Sequence, residues 1–176
     1  MIEASTADAV IDVLRAANFR RVGVDGIDGS GKSTLAKTVA AKLGRRLFCL
    51  DDYLERDRGG FLEFLDYKRL QADAASETGY VVEGVCLLHA LDRAKLKIDA
   101  LVYVKRRHLG LWADEQELDL SEPLEEFLEN QRRLTAMVAG ETEEITDLGL
   151  AEEVIRYHYV ARPHNSAHIV YYRDER

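Results

Sequence analysis

The chain has 176 residues, of which 47% are hydrophobic, and this length suits one compact domain spanning residues 1–176. A net charge of −8 argues against a nucleic-acid-binding surface, and no apolar run approaches the ~20 residues of a membrane span. The first residues lack the basic start and apolar core of a signal peptide, so we expect a cytoplasmic protein that binds neither nucleic acid nor membranes. The two cysteines, Cys49 and Cys86, lie in apolar segments, which is typical of buried free thiols.

The first predicted elements surround a glycine-rich loop. Hydrophobic spacing predicts an amphipathic helix over residues 6–17, and the run 21–25 predicts a short strand. Residues 26–34 read GIDGSGKST and fit the pattern G-x-x-x-x-G-K-[ST], the phosphate-binding P-loop. A second helix is predicted over residues 33–43, ending at Gly44. A strand, a loop and a helix in this order can wrap a phosphate chain.

The composition of this loop indicates how it would hold a nucleoside triphosphate. Glycines let the backbone approach the phosphates and turn its N–H groups toward them, and the following helix adds the positive end of its dipole. Lys32 can reach the β- and γ-phosphates, and the Ser33 hydroxyl can help hold Mg²⁺. We therefore expect ATP and Mg²⁺ as cofactors, bound by Gly26, Asp28, Gly29, Ser30, Gly31, Lys32, Ser33 and Thr34.

The rest of the chain alternates short apolar strands with helical segments. Further strands are predicted at residues 47–50, 80–82, 101–104 and 169–172, and helical spacing recurs over residues 61–78 and 148–160. Short continuous apolar strands between helices are typical of a parallel sheet that is covered on both faces. We therefore predict a three-layer α/β fold with a five-stranded parallel sheet.

Acidic residues follow two of these strands. Asp51 and Asp52 come after the second strand, and Glu83 comes after the third. Ligands of parallel sheets bind beyond the carboxyl ends of the strands, so these carboxylates are expected beside the P-loop. Asp51 or Asp52 could accept the proton of an incoming hydroxyl group. Glu83 could hold Mg²⁺ through water or bind a substrate hydroxyl.

Three segments together resemble the uridine kinase/phosphoribulokinase group, which also includes nicotinamide riboside kinase. They are residues 24–34 (VDGIDGSGKST), 50–54 (LDDYL) and 82–85 (VEGV). The resemblance implies a P-loop kinase in which Asp51, followed by Asp52, is the catalytic base. It also implies that Glu83 organises metal or substrate and that Tyr53 contacts the substrate. The segment before the last strand resembles that of the same group, which makes Arg162 an expected substrate contact.

Charged segments predict a lid. A phosphoryl-transfer enzyme must exclude water, so we expect a small helical lid at residues 105–145, where residues 105–139 are charged and helical in pattern. Arg107, in the basic run directly after the fourth strand, is the expected catalytic cation for the transferred phosphoryl group. Residues 53–60 are polar and end in two glycines, which indicates a mobile loop, and residues 140–146 form an acidic connection.

One leading hypothesis and two alternatives follow. The leading hypothesis is an ATP-dependent kinase, a monomer or homodimer, that phosphorylates a hydroxyl of a small metabolite, preferably a nucleoside or nucleoside-like compound. Asp28 and Gly29 also resemble thymidylate kinase and other nucleoside monophosphate kinases, but Asp51 and Asp52 would repel an acceptor phosphate. The second alternative is a nucleotide-dependent switch, although the sequence contains no Asn-Lys-x-Asp motif for guanine.

Overall fold

A computed structural model describes residues 1–55, 60–140 and 145–174. Within these ranges one seven-stranded sheet has the order β1-β7-β5-β2-β4-β3, with β6 paired to β5 outside this path. All neighbours along the path are parallel, and only the β5–β6 pair is antiparallel. The strands are β1 (Ile2–Ala4), β2 (Arg21–Asp25), β3 (Arg46–Cys49), β4 (Tyr80–Gly84), β5 (Ala100–His108), β6 (Leu111–Trp112) and β7 (Ile169–Asp174).

Helices connect and cover the strands. They are α1 (Ala7–Ala16), α2 (Lys32–Leu43), α3 (Tyr67–Ala75), α4 (Leu87–Ala94), α5 (Glu115–Leu118), α6 (Leu124–Ala139), α7 (Leu150–Ala161) and α8 (Pro163–Ser166). Thr6 begins α1 as an N-cap that accepts a hydrogen bond from the Ala9 N–H, and Gly44 ends α2 with a φ of 62°. In the described part of the chain, no helix is long and apolar enough to span a membrane.

The hydrophobic core lies on both faces of the sheet because successive strand residues point to opposite sides. One cluster packs α1 and α2 against the sheet and includes Val10, Leu14, Val24, Leu35, Val81 and Val102. The other packs α3, α4 and α7 on the opposite face and includes Phe48, Leu70, Val82, Leu87, Tyr103 and Tyr157. The predicted three-layer α/β fold is therefore confirmed.

Three predictions about individual elements are wrong. The sheet has seven strands rather than five, because the short strand β1 pairs with β7 and β6 pairs with β5. Residues 105–108 are not helical but continue β5, since residues 105–107 pair in parallel with β7 and His108 pairs with β6, which gives their backbone partners despite their charge. The helix predicted over residues 61–78 is confined to α3, which begins after the N-cap Asp66. Residues 56–59 of the predicted loop 53–60 and residues 141–144 of the predicted connection 140–146 lie outside the described residues.

Candidate active site

The P-loop, residues 26–34, runs from the end of β2 into the first turn of α2. A Cβ atom on Gly26 would lie 2.9 Å from the Oγ of Ser30 and 3.1 Å from the Val104 carbonyl oxygen, which is too close for a side chain. Gly31 has a φ of 93°, a left-handed conformation that glycine adopts without strain. The glycines at these two positions therefore let the backbone close tightly around the entry to α2.

Two buried polar groups of this loop are available to a ligand. The buried Oγ of Ser30 has no hydrogen-bond partner among the residues that the structure describes, which is costly for a buried hydroxyl. The Lys32 side chain is 6% exposed, and its Nζ lies 3.9 Å from Oδ1 of Asp28, a side chain that is 93% exposed. An anionic ligand such as a phosphate chain would fit this site. It would meet Lys32, the Ser30 hydroxyl and the N-terminus of α2, where Gly31 provides no side-chain cap. Half-buried Ser33 and exposed Thr34 follow in the first turn of α2.

The acidic residues predicted for the site lie at the ends of β4, which is next to β2, and of β3, which is next to β4. Glu83 on β4 is buried, and Cys49, its register partner on β3, donates a thiol hydrogen bond of 2.9 Å to Oε1 of Glu83. Val81 packs in the cluster under α2, so Glu83 faces the side of the sheet where α2 begins. Asp51 and Asp52 are exposed in a 3-10 turn directly after β3. These carboxylates and the P-loop therefore share one edge of the sheet.

Tyr53 is directed away from this edge. Its hydroxyl donates a 2.8 Å hydrogen bond to Oδ2 of Asp73 on α3, and its ring is buried beneath the Arg69 guanidinium. Arg69 also donates to the backbone carbonyl of Asp52. Burial and the hydrogen bond to Asp73 raise the pKa of Tyr53 to about 12. The hydroxyl thus holds the 3-10 turn against α3.

The predicted cations have partners of their own. Arg107 donates from Nε and Nη2 to the two carboxylate oxygens of Asp174, at 2.8 and 3.1 Å, and its guanidinium lies 4.8 Å from the centre of the Tyr172 ring. Arg107 would have to leave Asp174 to reach a phosphate. Arg162 is exposed at the junction of α7 and α8, where its φ of 42° bends the chain.

Sequence reasoning missed a buried acid directly before the P-loop. Asp25, the last residue of β2, is fully buried, and its Oδ1 accepts a 2.7 Å hydrogen bond from the Gly26 N–H. Its Oδ2 accepts a hydrogen bond from the hydroxyl of Tyr157 on α7. An acidic residue that ends an otherwise apolar strand was the available signal, but its partner lies 132 residues away in the chain.

A second missed residue, Arg173, lies on the other side of the P-loop from the acidic strand ends. Its Nη1 donates a 2.8 Å hydrogen bond to the Gly29 carbonyl oxygen. It borders a cavity of 370 Å³ beside the first turns of α2, lined by Ala7, Gly31, Thr34, Leu35, Thr38, Tyr171 and Arg173. The P-loop therefore lies between this cavity, on the β7 side of the sheet, and the carboxylates on the β3 and β4 side.

Comparisons with known proteins support the fold. No protein-family profile and no curated protein sequence matches the chain. A possible uridine kinase from Bacillus stearothermophilus has a similar structure, with a TM-score of 0.51 at 16% identity over 94% of this chain and 96% of that chain. Shikimate kinases from Bacteroides thetaiotaomicron and Aquifex aeolicus are also found, at 18% and 15% identity. They cover 86% and 83% of this chain, and 85% and 98% of their own, with TM-scores of 0.42 and 0.38. The chain thus shares the fold of the possible uridine kinase, and its resemblance to the uridine kinase-like group is confirmed for the fold alone.

Proposed function

We propose that the chain is an ATP- and Mg²⁺-dependent kinase that transfers the γ-phosphate to a hydroxyl group of a small metabolite. A nucleoside or nucleoside-like acceptor is favoured. The observation that carries the proposal is that the buried Lys32 and Ser30 lie at the same edge of the sheet as the carboxylates Asp51 and Glu83, with no partner for the Ser30 hydroxyl among the described residues. The P-loop residues suit a phosphate donor, and the carboxylates suit a hydroxyl acceptor.

The P-loop would bind the donor. Its backbone N–H groups would surround the phosphates, and Lys32 would contact the β- and γ-phosphates. The Ser33 hydroxyl and the Glu83 carboxylate would hold Mg²⁺, which takes few protein oxygens and keeps several waters. When bound, Mg²⁺ would neutralise charge on the phosphate oxygens. The cavity bordered by Thr34 and Arg173 would receive the nucleoside of ATP, since it opens beside the loop on the side away from the acceptor.

The residues after β3 would bind and activate the acceptor. Asp51 would take the proton of the acceptor hydroxyl. The oxygen of that hydroxyl would bond to the γ-phosphorus as the bond to ADP breaks and ADP departs. Asp52 would hydrogen-bond a second polar group of the acceptor. Tyr53 would support the acceptor site indirectly, because its hydroxyl binds Asp73 and so holds the turn that carries Asp51 and Asp52. The adjacent carboxylates Asp51 and Asp52 favour a neutral or cationic acceptor over a phosphorylated one.

Two arginines outside this segment complete the proposed site. Arg162, at the end of α7, would contact the acceptor from an exposed position. Arg107 would leave Asp174 during lid closure and stabilise the charge that develops on the transferred phosphoryl group. Positioning and electrostatics would supply most of the rate enhancement, as expected for phosphoryl transfer.

The experiment is an acceptor screen. The purified chain is incubated with ATP, Mg²⁺ and a panel of nucleosides, nucleoside monophosphates, vitamins and sugars, and ADP release is measured. We expect release that depends on a hydroxyl compound without a phosphate group. A monophosphate acceptor would indicate a nucleoside monophosphate kinase. Full-rate hydrolysis without any acceptor would contradict the kinase proposal and indicate a switch.

A further inference from the structure

A buried hydrogen-bonded chain lies directly beneath the P-loop. The Leu88 N–H, in the first turn of α4, donates a 3.2 Å hydrogen bond to the hydroxyl oxygen of Tyr157. The Tyr157 hydroxyl donates to Oδ2 of Asp25, and Oδ1 of Asp25 accepts from the Gly26 N–H. Asp25 is fully buried and Tyr157 is 1% exposed. The start of the P-loop is therefore fixed through a carboxyl group to two helices that lie behind it.

Several groups face Asp25 from the surrounding elements. Lys32 on α2 is a cation whose field favours the charged form of Asp25. Burial raises the pKa of the Cys86 thiol and of the Tyr103 hydroxyl, so both are neutral near Asp25. His158 on α7 is also neutral, because burial lowers its pKa to about 4. Near neutral pH, the charges that matter around Asp25 are therefore its own and that of Lys32.

We propose that Asp25 and Tyr157 form a positioning pair that sets the affinity of the P-loop for its triphosphate and makes this affinity depend on pH. The inference rests on the proposed donor site, since it concerns the same loop. A carboxylate below the loop competes with the phosphates for Lys32 and repels their negative charge, whereas a neutral carboxyl group does neither. Asp25 acts through the Gly26 backbone and through Lys32, without touching the reacting atoms.

The direction of the pH dependence follows from the state of Asp25. Burial raises the pKa of Asp25 to about 7, partly offset by the hydrogen bond from Tyr157. Below this pH the carboxyl group is neutral and the loop binds a polyanion best. A bound triphosphate raises the pKa of Asp25 further, so affinity falls as the pH rises through 7. We expect a fall of about 3- to 10-fold.

The test measures the binding of inorganic tripolyphosphate by calorimetry from about pH 5.5 to about pH 9. Asp25→Asn keeps an acceptor for the Gly26 N–H and a group that hydrogen-bonds Tyr157, but it carries no charge. We expect this variant to lose the extra pH dependence and to bind above pH 7 more tightly than the unmodified protein. The ligand's own titration is common to both proteins and cancels in their ratio. Asp99→Asn is the matched control, because Asp99 pairs with Arg21 at the opposite end of β2.

A second variant tests the role of Tyr157, and its result does not depend on whether Asp25→Asn folds. Tyr157→Phe removes a hydrogen bond that lowers the pKa of Asp25, so we expect the fall in affinity at a higher pH than in the unmodified protein. Tyr172→Phe is the control, since the Tyr172 hydroxyl binds the Glu3 carboxylate at the edge of the sheet. A purely structural role for Tyr157 would weaken binding equally at every pH.

The outcomes separate this inference from the proposed function. An Asp25→Asn variant with the same pH profile as the unmodified protein, or a Tyr157→Phe variant with an unshifted profile, overturns the positioning pair alone. Binding with the expected profile but no phosphorylation of any acceptor supports the pair and contradicts the kinase. A chain that binds no tripolyphosphate contradicts both.

Discussion

The thiol of Cys49 donates a 2.9 Å hydrogen bond to the carboxylate of Glu83, and the two residues are register partners on β3 and β4. This contact fixes a buried acid at the strand edge that faces the start of α2. If Glu83 holds Mg²⁺, Cys49 orients a metal ligand. A cysteine thus enters the proposed site as a hydrogen-bond donor, while Cys86, the other free thiol, lies on the Asp25 side of the sheet.

Removing the Cys49 thiol is expected to raise the Mg²⁺ concentration needed for half-maximal activity. Cys49→Ala leaves Glu83 without this donor, and the loss of one hydrogen bond from a weak thiol donor corresponds to about 0.5–1.5 kcal/mol, or roughly 2- to 13-fold. Cys49→Ser keeps a donor and should stay near the unmodified value. The measurement is activity against Mg²⁺ concentration at saturating ATP. Equal Mg²⁺ requirements in the Ala and Ser variants would show that the contact is irrelevant to metal binding.

Alkylation of Cys49 is expected to be slow at neutral and mildly alkaline pH. Burial, followed by the hydrogen bond to Glu83, raises the pKa of Cys49 to about 12, so the reactive thiolate is scarce until the pH approaches that value. Mass spectrometry after iodoacetamide treatment would locate the modified cysteine. The same chain in denaturant serves as the control and should react much faster. Rapid modification of Cys49 in the folded protein would contradict a raised pKa of its thiol.

Arg173 is expected to affect the binding of ATP and not the binding of the acceptor. Its guanidinium binds the Gly29 carbonyl oxygen and borders the cavity proposed for the nucleoside of ATP. Arg173→Ala should raise KM for ATP about 3- to 10-fold with little change in KM for the acceptor. Arg15→Ala, on the outer face of α1, is a surface control. A change confined to the acceptor KM would place the nucleoside elsewhere.

The Tyr53 hydroxyl is expected to stabilise the turn that carries Asp51. Tyr53→Phe removes the hydrogen bond to Asp73, which corresponds to about 1 kcal/mol and a decrease in Tm of roughly 2–4 °C. Thermal unfolding of Tyr53→Phe, Asp73→Ala and the double variant gives the coupling energy of the pair. Additive effects of the two substitutions would mean that the hydrogen bond contributes nothing to stability.

The sequence was most informative where local chemistry decides the structure. The pattern of glycines around Lys32 was enough to predict the strand, loop and helix, because backbone conformation and phosphate binding are set within nine residues. The acids Asp51 and Glu83 could be placed at strand ends because parallel strands align their carboxyl ends. The three-layer fold followed from the alternation of apolar strands and helices.

Features that depend on distant partners could not be predicted. The basic residues after Val104 read as helix, but pairing with β7, some 67 residues further along the chain, extends β5 through them. The orientation of Tyr53 depends on Asp73, 20 residues away. The three-residue strand β1 has too little sequence to be distinguished from a loop, and its pairing with β7 gives it its place in the sheet.

The central claim is that Asp51 accepts the proton of an acceptor hydroxyl beside a P-loop that holds ATP. Its most direct test measures phosphate transfer from labelled ATP to the acceptor found in the screen, together with ATP binding, for Asp51→Asn, Asp52→Asn and Lys32→Ala. We expect Asp51→Asn to lower kcat by about 10²- to 10⁴-fold while ATP binding stays close to that of the unmodified protein. Lys32→Ala should lose transfer and weaken ATP binding, and Asp52→Asn should mainly change the acceptor KM. Full turnover by Asp51→Asn would contradict the account.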